Sequence, residues 1–140
     1  MKKDKIQIAI IGGGAAGFFA AIRCASLNPD CEVTILEKSS RVLAKVKVSG
    51  GGRCNVTHAC FDVKQLIQHY PRGGKQLFSL FSAFGPRDTF EWFESRGVKL
   101  KTESDGRMFP ASDSSQTIID CLLQETQKWN IRCWMNCAVR

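Results

Sequence analysis

Three glycines in fixed phase behind a short apolar run constrain this chain more than any other feature. Residues Ile6 to Ile11 are apolar except for Gln7, and Gly12-x-Gly14-x-x-Gly17 follows at once. A short β-branched run bounded by glycine reads as a buried, central strand of a parallel sheet. From Ala15 to Ser26 the apolar residues Phe18, Phe19, Ile22 and Ala25 recur at helical spacing, and Asn28-Pro29-Asp30 ends the helix. A second strand is expected at Glu32 to Glu37. Strand, helix and strand within about 30 residues form a βαβ unit, whose strands are parallel and whose crossover is right-handed. The expected class is α/β with a Rossmann-like parallel sheet.

Each glycine of the triplet answers a separate need. Gly12 permits the tight turn out of the strand, Gly14 lets the backbone approach a pyrophosphate, and Gly17 lets helix and sheet pack closely. The first helix then aims its unpaired N–H groups at the diphosphate. Glu37 closes the second strand, where a carboxylate can accept hydrogen bonds from ribose hydroxyls and would repel a 2′-phosphate. These residues point to a dinucleotide and disfavour NADP at this position, but they do not separate FAD from NAD.

The rest of the composition narrows the class. A chain of 140 residues fits one compact domain at most, and 44% hydrophobic with 24% charged residues is ordinary for a folded globular protein. The basic start Met1-Lys2-Lys3-Asp4-Lys5 is followed by an apolar run too short and too glycine-bounded for a signal peptide. No stretch approaches the roughly 20 apolar residues of a membrane span, so a cytoplasmic location without membrane contact is expected. Seven cysteines without C-x-x-C spacing read as reduced thiols, with Cys24 and Cys121 expected as small buried hydrophobes. His58 and His69 lack metal-ligand spacing, and no metal site is expected. The net charge of +7 is scattered, apart from Arg41, Lys45, Lys47 and Arg53, which lie in one stretch without an acidic residue. A bound diphosphate accounts for such a patch without nucleic acid.

Further along, residues Ser39 to Thr57 read as a short helix running into a binding loop with Ser49-Gly50-Gly51-Gly52. Helices are expected at Lys75–Phe84 and Arg87–Arg96, the second ending at Gly97. Leu77, Leu80, Phe81 and Phe84 mark one side of the first, and Phe90 and Phe93 one side of the second. Val98–Thr102 and Arg107–Phe109 form strands about an Asp105-Gly106 hairpin turn. Ser112 to Ser115 offer N-caps for a helix at Gln116–Trp129, with Ile118, Ile119, Leu122, Leu123 and Trp129 as its apolar face. Ile131 to Val139 reads as a last strand with no helix after it. A parallel sheet needs both faces covered, so a fold incomplete at its C-terminal end is expected.

The loop after the glycines carries the remaining chemistry. Arg53 supplies a permanent charge with a planar fork of donors, and Asn55 a compact donor and acceptor pair. They could accompany a diphosphate or stabilise charge on a reduced cofactor. Cys54 has two readings: a thiolate with its pKa lowered by Arg53, or a small residue that a tight loop requires.

Three separated strings carry a family resemblance: IGGGAAG near the start, SGGGRCNVTH at Ser49 to His58, and GRMFPASDSS at Gly106 to Ser115. Together, in this order and over essentially the whole chain, they resemble the BaiN-like bacterial flavoproteins, also known as aminoacetone-oxidase-type FAD-binding enzymes. The resemblance implies a glutathione-reductase-type FAD domain, of which this chain is the amino-terminal portion, with the substrate-side domain and the rest of the FAD domain absent. It implies that Ala15 and Ala16 contact the diphosphate, Glu37 and Lys38 the ribose end, and Arg41 or Lys45 the phosphates. Gly51, Gly52, Arg53, Cys54 and Asn55 approach the flavin side, and Val139 offers a backbone group to the adenine. Where many members carry a Gly-Arg-Lys-like run before the glycine loop, this chain reads Ser40-Arg41-Val42-Leu43-Ala44-Lys45. The implied activity is an FAD-dependent oxidoreductase transferring hydride to a conjugated carbon–carbon double bond. Steroidal enones and the uracil ring of ribosomal RNA are both represented among such substrates, and NAD(P)H is among the electron donors to consider. The alternatives are an RNA-directed flavoenzyme that reduces uridine to dihydrouridine and a non-catalytic dinucleotide-binding fragment; the fragment alone is expected to be inactive, and no catalytic residue is assigned.

Overall fold

A computed structural model of the chain describes residues 5–140. The first four residues of the basic start lie outside the described residues. The chain divides into two compact units, one made of the residues up to Val48 together with Ile118–Arg140, the other of Ser49–Thr117.

The first unit is built on a three-stranded parallel sheet in which β2 (Glu32–Leu36) lies between β1 (Gln7–Ile11) and β6 (Arg132–Trp134). Strand β1 (Gln7–Ile11) pairs with β2 (Glu32–Leu36) from Gln7 opposite Glu32 to Ile11 opposite Leu36. Helix α1 (Ala15–Leu27) makes the crossover and buries Phe18, Ala21, Ile22 and Ala25, the face that the sequence spacing marks. Val33 and Ile35, at alternate positions of β2, are buried as a pleated strand requires. Helix α2 (Ala44–Val48) buries Val46, and the preceding Leu43 is 1% exposed. Helix α6 (Ser115–Lys128) carries Ile118, Ile119, Cys121 and Leu122 inward. Of the two cysteines expected to be buried, Cys121 is, whereas Cys24 is only partly covered.

Two expectations change here. Strand β1 is an edge among the described residues, pairing only with β2, and Ile6 and Ile11 are more than half exposed; the central strand is β2. Strand β6 (Arg132–Trp134) is also shorter than the apolar run suggests. Asn136 takes a left-handed φ of 55°, and the backbone leaves the ladder: Asn136 N–H donates to Ser39 O at 2.9 Å and Cys137 N–H to Glu37 O at 2.8 Å. These bonds lace the last residues across the end of β2 instead of extending β6.

The second unit holds an antiparallel sheet in the order β3–β5–β4. Strands β4 (Leu100–Thr102) and β5 (Arg107–Pro110) form the expected hairpin through Asp105-Gly106, and β3 (Thr57–His58) pairs with the other side of β5. A short α3 (Val63–Leu66) precedes α4 (Gly74–Ala83) and α5 (Pro86–Glu94). Gly97, with φ of 79°, ends α5 as Val98 N–H reaches back to Phe93 O. Met108 and Phe109 on β5, with Phe93 and Val98, form the core. Helix α4 buries none of its residues, and Leu80 is 63% exposed.

Candidate cofactor site

In the first unit the triplet glycines meet their constraints one at a time. Gly12 has a φ of 101°, a conformation that disfavours any side chain, and its N–H closes the turn onto Leu36 O at 2.8 Å. A Cβ on Gly17 would lie 1.9 Å from Gly12 O, so helix and turn touch backbone to backbone there. Gly14, the N-cap of α1, is different: a Cβ would meet nothing within 4 Å, and no side chain caps the helix. Open space thus stands before the unsatisfied N–H groups of the first turn, where Ala15 and Ala16 are exposed. A nucleotide diphosphate fits such a cradle, since no acidic side chain occupies the first turn.

Gly13, which the fingerprint leaves unassigned, is as constrained as its neighbours. A Cβ there would lie 2.8 Å from Val42 Cγ1 and 3.1 Å from Glu37 Oε2. The run of three glycines was the available signal. Gly13 N–H donates to Glu37 Oε2 at 2.7 Å, and Ser39 N–H donates to Glu37 Oε1 at 2.8 Å. The bond from Ser39, with that from Gly13, holds the Glu37 carboxyl down at about 2. Glu37 therefore braces the glycine turn and the chain after β2. Each carboxylate oxygen keeps one acceptor site for a hydroxyl.

A groove of about 170 Å³ opens at this point. Ile11, Gly12, Leu36, Glu37 and Lys38 line one side, with Cys137, Ala138 and Val139 on the other. Val139 is the residue that the family resemblance names; Cys137 and Ala138 were not expected, because the bonds that lay them here join residues about a hundred positions apart. Lys38, Arg41 and Lys45 are all exposed, Lys45 on α2.

In the second unit, Ser49–Gly52 form a tight left-handed turn in which Gly50, Gly51 and Gly52 all take positive φ, and Cys54 follows at 63°. A Cβ on Gly50 would lie 2.9 Å from both Asn55 N and Phe109 Cε1, whereas Gly51 and Gly52 face open space. Arg53 pairs with Glu103, lies 3.6 Å from Asp113, and stacks 4.0 Å over the Phe109 ring. The Glu103 carboxylate raises the already high Arg53 pKa. Cys54 is 7% exposed, and burial pushes its thiol up. The idea of a thiolate lowered by Arg53 is therefore corrected: the cation is turned to Glu103, and desolvation governs the thiol. Asn55, with its amide nitrogen toward the neighbouring carbonyls, donates to Thr57 O at 2.9 Å and Met108 O at 3.2 Å. His58 bonds Asp105 O and the Cys60 N–H. Among the described residues no cluster of three His, Cys, Asp or Glu could hold a metal ion, and no helix is long and apolar enough to cross a membrane.

A parallel βαβ unit with an open glycine cradle and a braced acid at the end of β2 defines a dinucleotide-binding Rossmann domain. The chain belongs to the HI0933-like family, whose Rossmann domain matches residues 6–140. It is 31% identical over 133 residues to the 3-dehydro-bile acid delta(4,6)-reductase of Clostridium scindens, covering 95% of this chain and 32% of that protein. It is 28% identical over 130 residues to the ribosomal RNA dihydrouridine synthase of Escherichia coli, covering 91% of this chain and 30% of that protein. The chain thus spans about a third of the length of these curated relatives. Among solved structures, the quinol fumarate reductase of Escherichia coli matches with a TM-score of 0.68 at 18% identity, over 97% of this chain and 26% of that one. A flavocytochrome c3 fumarate reductase matches with a TM-score of 0.64 at 23% identity, over 96% and 27%. At such identities these structures speak for the fold, and they agree with the expected Rossmann-like class.

Proposed function

We propose that this chain supplies the adenosine-diphosphate end of the FAD site in an oxidoreductase that reduces a carbon–carbon double bond conjugated to a carbonyl. One observation carries the reading: the open space over Gly14 at the uncapped start of α1, with ionised Glu37 hydrogen-bonded to the adjacent Gly13. Backbone N–H groups of Ala15 and Ala16 hold the diphosphate, and the helix dipole adds positive potential. Lys38, Arg41 and Lys45 supply further positive charge. Glu37 accepts from the ribose through the lone pairs its two backbone donors leave free, and the Val139 backbone faces the adenine. When bound, the flavin supplies hydride transfer, and the protein binds and orients it. The glycine loop from Gly51 to Asn55 serves the flavin side. NAD(P)H is the proposed electron donor, a small enone the proposed substrate, and the cytoplasm the proposed location.

The similarity to a ribosomal RNA dihydrouridine synthase, together with the net charge of +7, favours a second reading in which the reduced base is a uridine in RNA. RNA affinity that falls steeply with added salt distinguishes it from the small-molecule reading. The first reading is tested in the full-length protein by Gly14→Val, which puts a branched side chain into the diphosphate cradle. The expected outcome is a folded, colourless protein that FAD does not reconstitute. Unchanged FAD affinity would overturn the assignment.

A further inference from the structure

The glycine loop of the second unit poses a mechanical problem. Four of the five residues from Gly50 to Cys54 have positive φ, and three of them have no side chain with which to hold that shape. Ordering glycine costs more backbone entropy than ordering any other residue, and a non-glycine residue such as Cys54 is itself strained at positive φ. The loop must be fixed by the residues beside it, and Arg53 is the one that carries a charge.

Arg53 belongs to a ladder of six charges alternating in sign. Lys101 pairs with Asp113, Asp113 lies 3.6 Å from Arg53, Arg53 pairs with Glu103, Glu103 lies 3.5 Å from Arg107, and Arg107 bonds Asp105 at 2.7 Å. Three cations meet three anions, so the guanidinium is neutralised where it stands. Beneath it the Phe109 ring is fully buried, and the same ring closes the space over Gly50. Glu103 and Phe109 stand on either side of the β4–β5 hairpin turn, so the ladder ties the loop to an element with its own hydrogen-bonded register. Lone exposed ion pairs contribute little, but a network seated on a fully buried ring holds geometry better than its separate pairs.

We propose that Arg53 is a positioning residue: it holds the loop from Ser49 to Asn55 in its left-handed shape through Glu103, Asp113 and Phe109, and does not itself contact the cofactor. The bare Cα faces of Gly51 and Gly52 are then the surface the loop offers. This rests on the FAD-site reading above only for what the loop serves; the clamp itself is independent of it.

The test compares Arg53→Gln, Glu103→Gln, the double variant and Arg53→Lys in the full-length protein, with two readouts. Hydrogen exchange of the amides from Gly50 to Asn55, measured without FAD, should quicken alike in Arg53→Gln and Glu103→Gln, with the double variant no worse than either. FAD affinity should fall by about twofold to tenfold in both single variants, again without additivity. Arg53→Lys, which keeps the charge but loses the fork, should recover part of each effect. The proposal is overturned if Arg53→Gln weakens FAD binding while Glu103→Gln leaves it unchanged or tightens it and loop exchange stays at wild type, because Arg53 would then touch the cofactor. If wild type binds no FAD while the exchange pattern holds, the FAD-site reading falls and the clamp stands.

Discussion

Replacing Gly17 by Ala should unfold the fingerprint without touching any ligand. The new Cβ would sit 1.9 Å from Gly12 O, whereas real Cβ contacts essentially never fall under 3.0 Å, so turn and helix must separate by at least the difference. Overpacking of this kind costs about 1–3 kcal/mol, and the upper end applies because the obstructing atom is backbone. Moving the turn also strains the Gly12 N–H bond to Leu36 O, whose net contribution is about 1 kcal/mol. Against this, alanine is better than glycine in a helix by about 1 kcal/mol. The balance is a loss of about 2–3 kcal/mol, or roughly a 30- to 150-fold fall in the folding constant. At typical urea slopes that lowers the midpoint by about 1–2 M. Gly14→Ala is the control: its Cβ meets nothing and its φ of −88° suits any residue, so stability should stay within about 0.5 kcal/mol while FAD affinity drops. Urea unfolding followed by circular dichroism reads both. A Gly17→Ala midpoint equal to wild type, or a Gly14→Ala protein that fails to fold, would refute the backbone-contact argument.

Two further predictions follow from the site. The Glu37 carboxyl is held at about 2 against an ordinary 4.5; a depressed folded-state pKa contributes stability that is complete above the ordinary value and lost as pH falls toward the lower one. Glu37→Gln should therefore flatten the acid limb of urea stability between those two values, and parallel profiles for wild type and variant would contradict the bracing role. Burial with a raised pKa should make Cys54 slow to alkylate: mass-spectrometric mapping after iodoacetamide treatment near neutral pH should find it modified well after the half-exposed Cys60, and equal rates would count against the buried loop geometry.

The local parts of this fold were legible because their causes are local. The glycine phase, the periodicity of α1, the Asp105-Gly106 turn and the left-handed Gly97 all act within a few residues, and the structure has each where the pattern places it. What escaped depends on distant partners. The apolar character of residues 131–139 suggested one strand, but Ser39 and Glu37 draw the backbone out of the ladder after Trp134. The partners of Arg53 were out of reach, since nothing in its neighbourhood of sequence announces Glu103 or Asp113. The apolar stripe of α4 is visible in the sequence, yet periodicity says which residues share a face and not whether anything covers it, and Leu80 is exposed. Gly13 escaped for another reason: the fingerprint counts the outer glycines, while the side chains of Val42 and Glu37 crowd the space where a Cβ would stand.

The bracing by Glu37, set beside its proposed contact with the ribose, bears on attempts to redesign such a domain for a different nucleotide. Exchanging the acid at the end of β2 for a small or basic residue is the obvious way to admit a 2′-phosphate, since it removes the repelling charge. In this chain the same exchange would strip the amides of Gly13 and Ser39 of their acceptors at 2.7 and 2.8 Å, and would loosen the turn that any nucleotide needs. Retargeting would have to supply a replacement acceptor for those two amides first, for instance a hydroxyl or amide side chain brought in from Val42, whose Cγ1 already lies against Gly13. On the proposed ribose role of Glu37, specificity and scaffold share one carboxylate, so nucleotide preference cannot be changed at that position alone.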